Sequence, residues 1–369
     1  MRQASRRVLR SVVAALLVAA GTSGSAMAGQ PVVNVYNWGN SIGKNTNAEF
    51  EKATGITVRY QEFDSNDTLQ AKLLAGDSGY DVVVPSNPYW ARQVQAGIYQ
   101  KLDKKLIPNL DLLDPKIMHL LAQDDPGNAY GVPWSWGTDG LGVNVQDVQR
   151  ALGSKQPLDS LALLFDPALV SKLKGCGVSV LDSPIDVFGM ALVYLHKNPN
   201  STNPADYRAA YRLLTRIRPY ITEFNVGSYI NDLASNDICL ALGWSGDVNV
   251  ARQAAQSAHK PYHIRYVIPR EGAPIWFDMM AVPADAPHPG NAMKYINFVL
   301  SAKQSADLTN TTSYPSAVPS AKPLIKPAEL SDPAIYPSGA MFARLFVTKP
   351  LPTSIQRLET HLWLQLKAD

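Results

Sequence analysis

From Pro31 onward the chain alternates short apolar runs with amphipathic stretches, and that alternation constrains the fold more than any other feature. PVVNVYNW is followed by NTNAEFEKATG, ITVRYQEF by NDTLQAKLLAG, and YDVVVPS by NPYWARQVQAG. Continuous apolar strands separated by helices imply a parallel sheet covered on both faces, an α/β architecture. Ser65 is placed to cap the second helix and Gly76 to stop it. Ligands in such sheets bind beyond the carboxyl ends of the strands. Trp38, Ser86 and Trp244 all stand at such ends.

Further along, Pro133, Gly137, Gly140 and Gly142 interrupt the pattern in YGVPWSWGTDGLGVN, which reads as a crossing between two lobes. A return crossing is expected around HIRYVIPREGAPIWFDMMAVP, where Pro269, Gly272 and Pro274 cluster. These crossings assign residues 29–136 and 258–308 to an N-terminal lobe, and 137–257 and 309–369 to a C-terminal lobe. The tail LPTSIQRLETHLWLQLKAD reads as an amphipathic helix.

The N-terminus has Arg2, Arg6, Arg7 and Arg10 ahead of an apolar core, then Ala26, Met27 and Ala28. That arrangement reads as a secretory signal peptide over residues 1–28, its apolar core being too short to span a bilayer. Its removal takes four arginines and no acid, so the formal charge falls from +3 to −1. A nearly neutral protein without a Lys/Arg run argues against nucleic acid or an anionic membrane as partner. With no cysteine near the cleavage site to carry a lipid, a freely soluble periplasmic monomer is expected. An exported pair of cysteines, here Cys176 and Cys239, most often forms one disulfide rather than a metal or catalytic site.

The stretch IWFDMMAV holds an acid inside an apolar strand, against strand preference. With a period of two, Trp276, Asp278, Met280 and Val282 share one face, and Ile275, Phe277, Met279 and Ala281 the other. A buried carboxylate costs several kcal/mol unless paired. Its partner is either a distant Arg or Lys or a ligand cation, and the tryptophan on its face favours the cation. Asp247, three residues after Trp244 in ALGWSGD, has a parallel ambiguity: helix N-cap or cation ligand. Tryptophan faces with carboxylates suit an ammonium on a hydrocarbon chain.

Enzyme signatures are weak. GWSGD lacks the spacing of a nucleophile elbow, and GTDGLG reads as a hinge rather than a dinucleotide loop. Pro261 stands between His259 and His263, and no third ligand is near, so no metal or other cofactor is expected. A secreted hydrolase of small amides or esters would need a nucleophile and base in reach. A sugar receptor would not require Asp278 beside tryptophans.

The stretches VYNW, EFDSND, YDVVVPS, CGVSVLDSP, NPNSTNPADY, YINDLASNDICLALGWSGD and FDMMAVPADA resemble the periplasmic putrescine- and spermidine-binding proteins of polyamine ABC transporters. The resemblance implies a two-lobed type II periplasmic-binding fold with the ligand in the interlobe cleft, and a Cys176 to Cys239 disulfide. It also implies a small-molecule amine as ligand and an inner-membrane ABC permease as partner. Carried over, it makes Asp247 and Asp278 the carboxylates for one ammonium. Trp38, Trp244 and Trp276 would box the methylene chain, with Ser86 and Tyr314 as hydrogen-bonding groups. Departures fall at the ligand's far end. Gly39 and Asn40 follow Trp38 where relatives typically carry Ser and Asp, and Ile185, followed by Asp186, replaces a frequent acid. Two expectations follow. Either a polyamine is bound, with Asp67 or Asp186 serving its second ammonium, or the ligand carries one amine, as in agmatine, an ω-amino acid, or an acylated or γ-glutamylated diamine.

Overall fold

The computed structural model describes residues 30–368, so the signal peptide expected over residues 1–28 lies outside the described residues. Ten strands form the sheet: β1 (Val32–Trp38), β2 (Thr57–Phe63), β3 (Val82–Val83), β4 (Gly131–Asn144), β5 (Val178–Leu181), β6 (Glu223–Asn225), β7 (Leu240–Trp244), β8 (Ile264–Val267), β9 (Ala273–Ala281) and β10 (Leu345–Val347). Their order is β2-β1-β3-β9-β4-β7-β5-β6, with β8 on β4 and β10 on β9. The strands linked by helices pair in parallel, as β1 does with β2 and β3, and β5 with β6 and β7. Strand β2 departs from the expected double coverage: at the sheet edge, most of its residues are exposed, which accommodates Arg59, Gln61 and Glu62.

The glycine- and proline-rich stretch is not an interruption. It forms β4, one buried strand of 14 residues. Its first half pairs antiparallel with β9 and its second half with β7 and β8, so a single strand runs through both halves of the structure. The glycines that suggested a hinge let neighbouring rings approach the strand. A Cβ at Gly137 would lie 2.4 Å from the Trp276 indole, too close for any other residue.

Apolar side chains gather in separate cores. One holds β4 residues from Leu141 onward, Val178 to Leu181, Leu240 to Leu242, and Trp363 and Leu366 of the tail helix Thr353–Ala368. The others lie on the two faces of the β1–β3–β9 half. Met280 and Val282 join Val33, Val35 and Val132, whereas Ile275, Phe277, Met279 and Ala281 join Tyr36, Phe63 and Trp90. The period of two read from β9 thus separates two hydrophobic layers. Two segments pack differently from the expected ranges. Ile264 to Ile268 lie with the β5–β7 core, because β8 pairs with the second half of β4. Ala317, Val318, Ala321 and Ile325 lie with the β1 core.

Cys176 and Cys239 form a disulfide, Cα to Cα 5.4 Å, just ahead of the parallel neighbours β5 and β7. It closes a loop with a sequence separation of 63. Replacing both cysteines by alanine should cost roughly 4 kcal/mol through the entropy of the unfolded chain. Urea unfolding of the double variant should show a correspondingly lower midpoint, and an unchanged midpoint would contradict this.

Candidate functional site

The site begins where β1 ends. Asn37 fixes the exit of the strand, its Oδ1 accepting from the Trp38 N–H at 2.8 Å and its Nδ2 donating to the Ser41 carbonyl at 3.0 Å. Gly39 and Asn40 form the exposed turn between them. Asn40 has φ 55°, a left-handed conformation that asparagine tolerates better than most residues. Its place here thus has a backbone reason as well as any role at the cleft rim.

Ser86 precedes the helix Asn87–Gln95 but does not cap it with its side chain. Its Oγ instead donates to Asp278 Oδ1 at 2.8 Å, and Ser135 Oγ donates to Asp278 Oδ2 at 3.3 Å. Asp278 is only 5 % exposed. One residue pair further along, Trp276 lies over Gly137 and donates from Nε1 to Asp139 Oδ1 at 3.1 Å.

From the other half, Trp244 ends β7 and the helix Ser245–Ser257 begins at once. Asp247 sits in its first turn, past the N-cap position, which Trp244 holds. The helix-cap reading therefore gives way to another set of partners. Tyr229 Oη donates to Asp247 Oδ2 at 2.9 Å and Tyr314 Oη to Oδ1 at 2.7 Å. Tyr314 lies against Gly246, where a Cβ would meet its ring at 2.5 Å, and meets Trp276 edge-on with centroids 5.2 Å apart. Trp38 and Trp244 meet edge-on with centroids 6.3 Å apart.

The structure thus brings together Trp38, Ser86, Trp244, Asp247, Trp276, Asp278 and Tyr314. Gly39 and Asn40 stand exposed at the turn beside Trp38. Asp67 and Ile185 line a groove of about 950 Å³ with Tyr89, Arg92 and Glu359, which Trp38, Trp244 and Trp276 do not border. Asp67 is exposed and accepts from Tyr89 Oη at 3.2 Å. Asp186, half-buried in the first turn of the helix Pro184–Tyr194, instead approaches Trp244 and Asp139. Sequence reasoning missed Ser135, Asp139 and Tyr229. The signal for Asp139 was an acid two residues from Gly137, hidden because the stretch read as a hinge.

No ion pair among the described residues involves Asp139, Asp186, Asp247 or Asp278. The distant Arg or Lys considered for Asp278 is therefore replaced by hydroxyl donors. Burial pushes Asp278 up to about 7, against the opposing hydrogen bonds of Ser86 and Ser135. Burial also raises Asp247, with Tyr314 and Tyr229 working the other way. Such groups are stable as neutral acids and receptive to a cation once ionised.

Comparison with known proteins places this geometry in a class. The profile of the bacterial extracellular solute-binding proteins matches residues 46–337, and the chain belongs to that family. It is 44 % identical over 355 residues to the putrescine-binding periplasmic protein of Pseudomonas aeruginosa strain UCBPP-PA14, covering 96 % of this chain and 97 % of the relative. It is 41 % identical over 369 residues to the putrescine-binding periplasmic protein of Escherichia coli K12, covering all of both. A solved spermidine/putrescine ABC transporter protein from Listeria monocytogenes superposes with a TM-score of 0.81 at 29 % identity, over 91 % of this chain and 98 % of that one. The architecture is the two-lobed type II periplasmic-binding fold.

Because Asp278 must ionise to hold a cation, affinity for an organic ammonium should fall up to tenfold per pH unit below about 7 and level off above it. The same raised value makes the ligand-free fold less stable as pH rises from about 4 through about 7, since the folded state holds a proton that the unfolded state releases. Calorimetric titrations between pH 5 and 8.5 check the first statement, and a flat profile would contradict it.

Proposed function

We propose that the mature protein captures a polyamine of the putrescine or spermidine kind in the periplasm and delivers it to an inner-membrane ABC permease. The observation that carries this reading is a set of carboxylates, Asp278 buried and Asp247 half-buried, set among indoles and without a cationic side chain against them. An ammonium supplies the missing charge through hydrogen bonds of about 2.7–2.9 Å. Indole faces add about 0.5 to 2 kcal/mol per cation contact. The names of the relatives at 44 % and 41 % identity support the same ligand class.

In this reading the lobes follow the cores. One is built on β1, β2, β3, β9 and the first half of β4, with the segment from Ala317 to Ile325. The other is built on β5, β6, β7, β8, the second half of β4 and the tail helix. Trp38, Ser86 and Asp278 belong to the first, Trp244 and Asp247 to the second. A ligand that touches both walls favours the closed arrangement, and the closed form is the one the permease receives. The protein is a carrier and leaves its ligand unchanged. A second reading, a ligand with one amine, is favoured by neutral Asn40 and Ile185 where relatives typically carry acids.

The test is a thermal-shift and calorimetric series on refolded, ligand-free protein with diamines, triamines, agmatine and ω-amino acids. A true ligand at about 100 times its dissociation constant should add near 2.7 kcal/mol of stability. Asp247→Ala should weaken binding by about 2–5 kcal/mol. Unchanged affinity in that variant for every amine would overturn the site, and chemical conversion of a recovered ligand would overturn the carrier role.

A further inference from the structure

Asp139 is fully buried on β4, and its partners do not complete it. Trp276 donates to Oδ1, while Oδ2 is buried with no hydrogen-bond donor against it. Asp186 adjoins it from the helix Pro184–Tyr194, with Ser183 and Trp244 beside that second carboxylate. Tyr229 and Tyr266 complete the surroundings with phenols rather than cations. Two carboxylates that adjoin one another in such a place must share a proton or take up a positive charge from outside the chain.

Register then fixes where this pair stands. Ser135 pairs with Asp278, Gly137 with Trp276, and Asp139 with Trp244, so alternate residues of β4 lay out a row on one face. The carboxylate of Asp278 begins the row, the Trp276 indole spans its middle above Gly137, and Asp139 ends it beside Trp244. Four residues of strand separate the ends by roughly 13 Å. Subtracting two charge-assisted hydrogen bonds of about 2.8 Å leaves about 7 Å, the reach of an extended diamine of about four or five methylenes.

We propose that Asp139 and Asp186 form a second cation subsite that receives the far ammonium of an α,ω-diamine, with the methylene chain lying along the Trp276 indole. The subsite rests on the amine-binding reading above and names its ligand class: the acid missing at Asn40 and Ile185 is supplied from β4 and from the residue after Ile185. Burial, and the neighbouring Asp186, raise Asp139 well above the usual carboxylate range, and burial holds Asp186 up to about 6. The pair thus shares a proton until an ammonium displaces it.

The test compares 1,4-diaminobutane with n-butylamine by calorimetry at pH 7.5, on the unmodified protein and on Asp139→Asn and Asp186→Asn, each checked for folding by thermal melting. The unmodified protein should prefer the diamine by about 30-fold or more, the loss expected when one partner of a buried charge pair is absent. Each variant should lose most of that preference while its affinity for n-butylamine changes less than about 3-fold. Asparagine reproduces the shape of the protonated acid, so a purely structural pair would leave the preference intact, and that result overturns the proposal. An equal loss for both amines also overturns it. Equal affinity of the unmodified protein for the two amines removes the subsite but leaves amine binding standing. Failure to bind either amine removes both. If Asp139→Asn does not fold, Asp186→Asn decides alone.

Discussion

Everything around the cleft depends on keeping carboxylates buried without giving them a basic side chain. Removing one ion from water costs several kcal/mol, and a lysine or arginine in reach would occupy the place of a ligand cation. The fold answers with neutral donors. Two serines hold Asp278, two tyrosines hold Asp247, and an indole N–H holds Asp139. Hydroxyl and indole donors steady the charge without cancelling it, so the carboxylates keep no counter-charge from the described residues. The glycines follow from the same demand. Gly137 and Gly246 are bare so that Trp276 and Tyr314 can lie over the backbone and reach their carboxylates.

Strand β4 ties this chemistry to the architecture. It pairs with β9 at one end and with β7 and β8 at the other, so it belongs to both halves of the sheet. Ser135 and Asp139 are therefore fixed on a rigid element shared by both cores. Trp38 and Trp244 stand at the strand ends of different cores and meet edge-on across the gap. In the proposed function, a cation held between Asp278 on β9 and Asp247 on the helix after β7 would couple capture to the approach of the two walls.

What the sequence made legible were the features that depend on local periodicity. The alternation in IWFDMMAV separated the two faces of β9 correctly, and an acid on an apolar strand marked Asp278. Strand and helix alternation gave the α/β class, and the disulfide expected of the two cysteines is present. The partners of Asp247 were not readable, because Tyr229 and Tyr314 lie 18 and 67 positions away. Local pattern suggested a helix cap instead. Asp139 was passed over because glycines in a strand resemble a loop unless the rings packed on them are known. Segments 258–308 and 309–369 were each assigned to one lobe, while the packing divides both between cores, since lobe membership follows from strand pairing. Asp67 and Ile185, expected near the ligand because of their place in a motif, line a groove that Trp38, Trp244 and Trp276 do not border.

A crystal structure of the protein with 1,4-diaminobutane tests the central claim most directly, because the claim is about which charged atoms meet. The account predicts density in the tryptophan-lined cleft, one ammonium within hydrogen-bond distance of Asp278 or Asp247, the other at Asp139 and Asp186, and methylenes along Trp276. Density in the groove by Asp67 and Glu359, or an ammonium satisfied only by water with those four carboxylates unengaged, would contradict it.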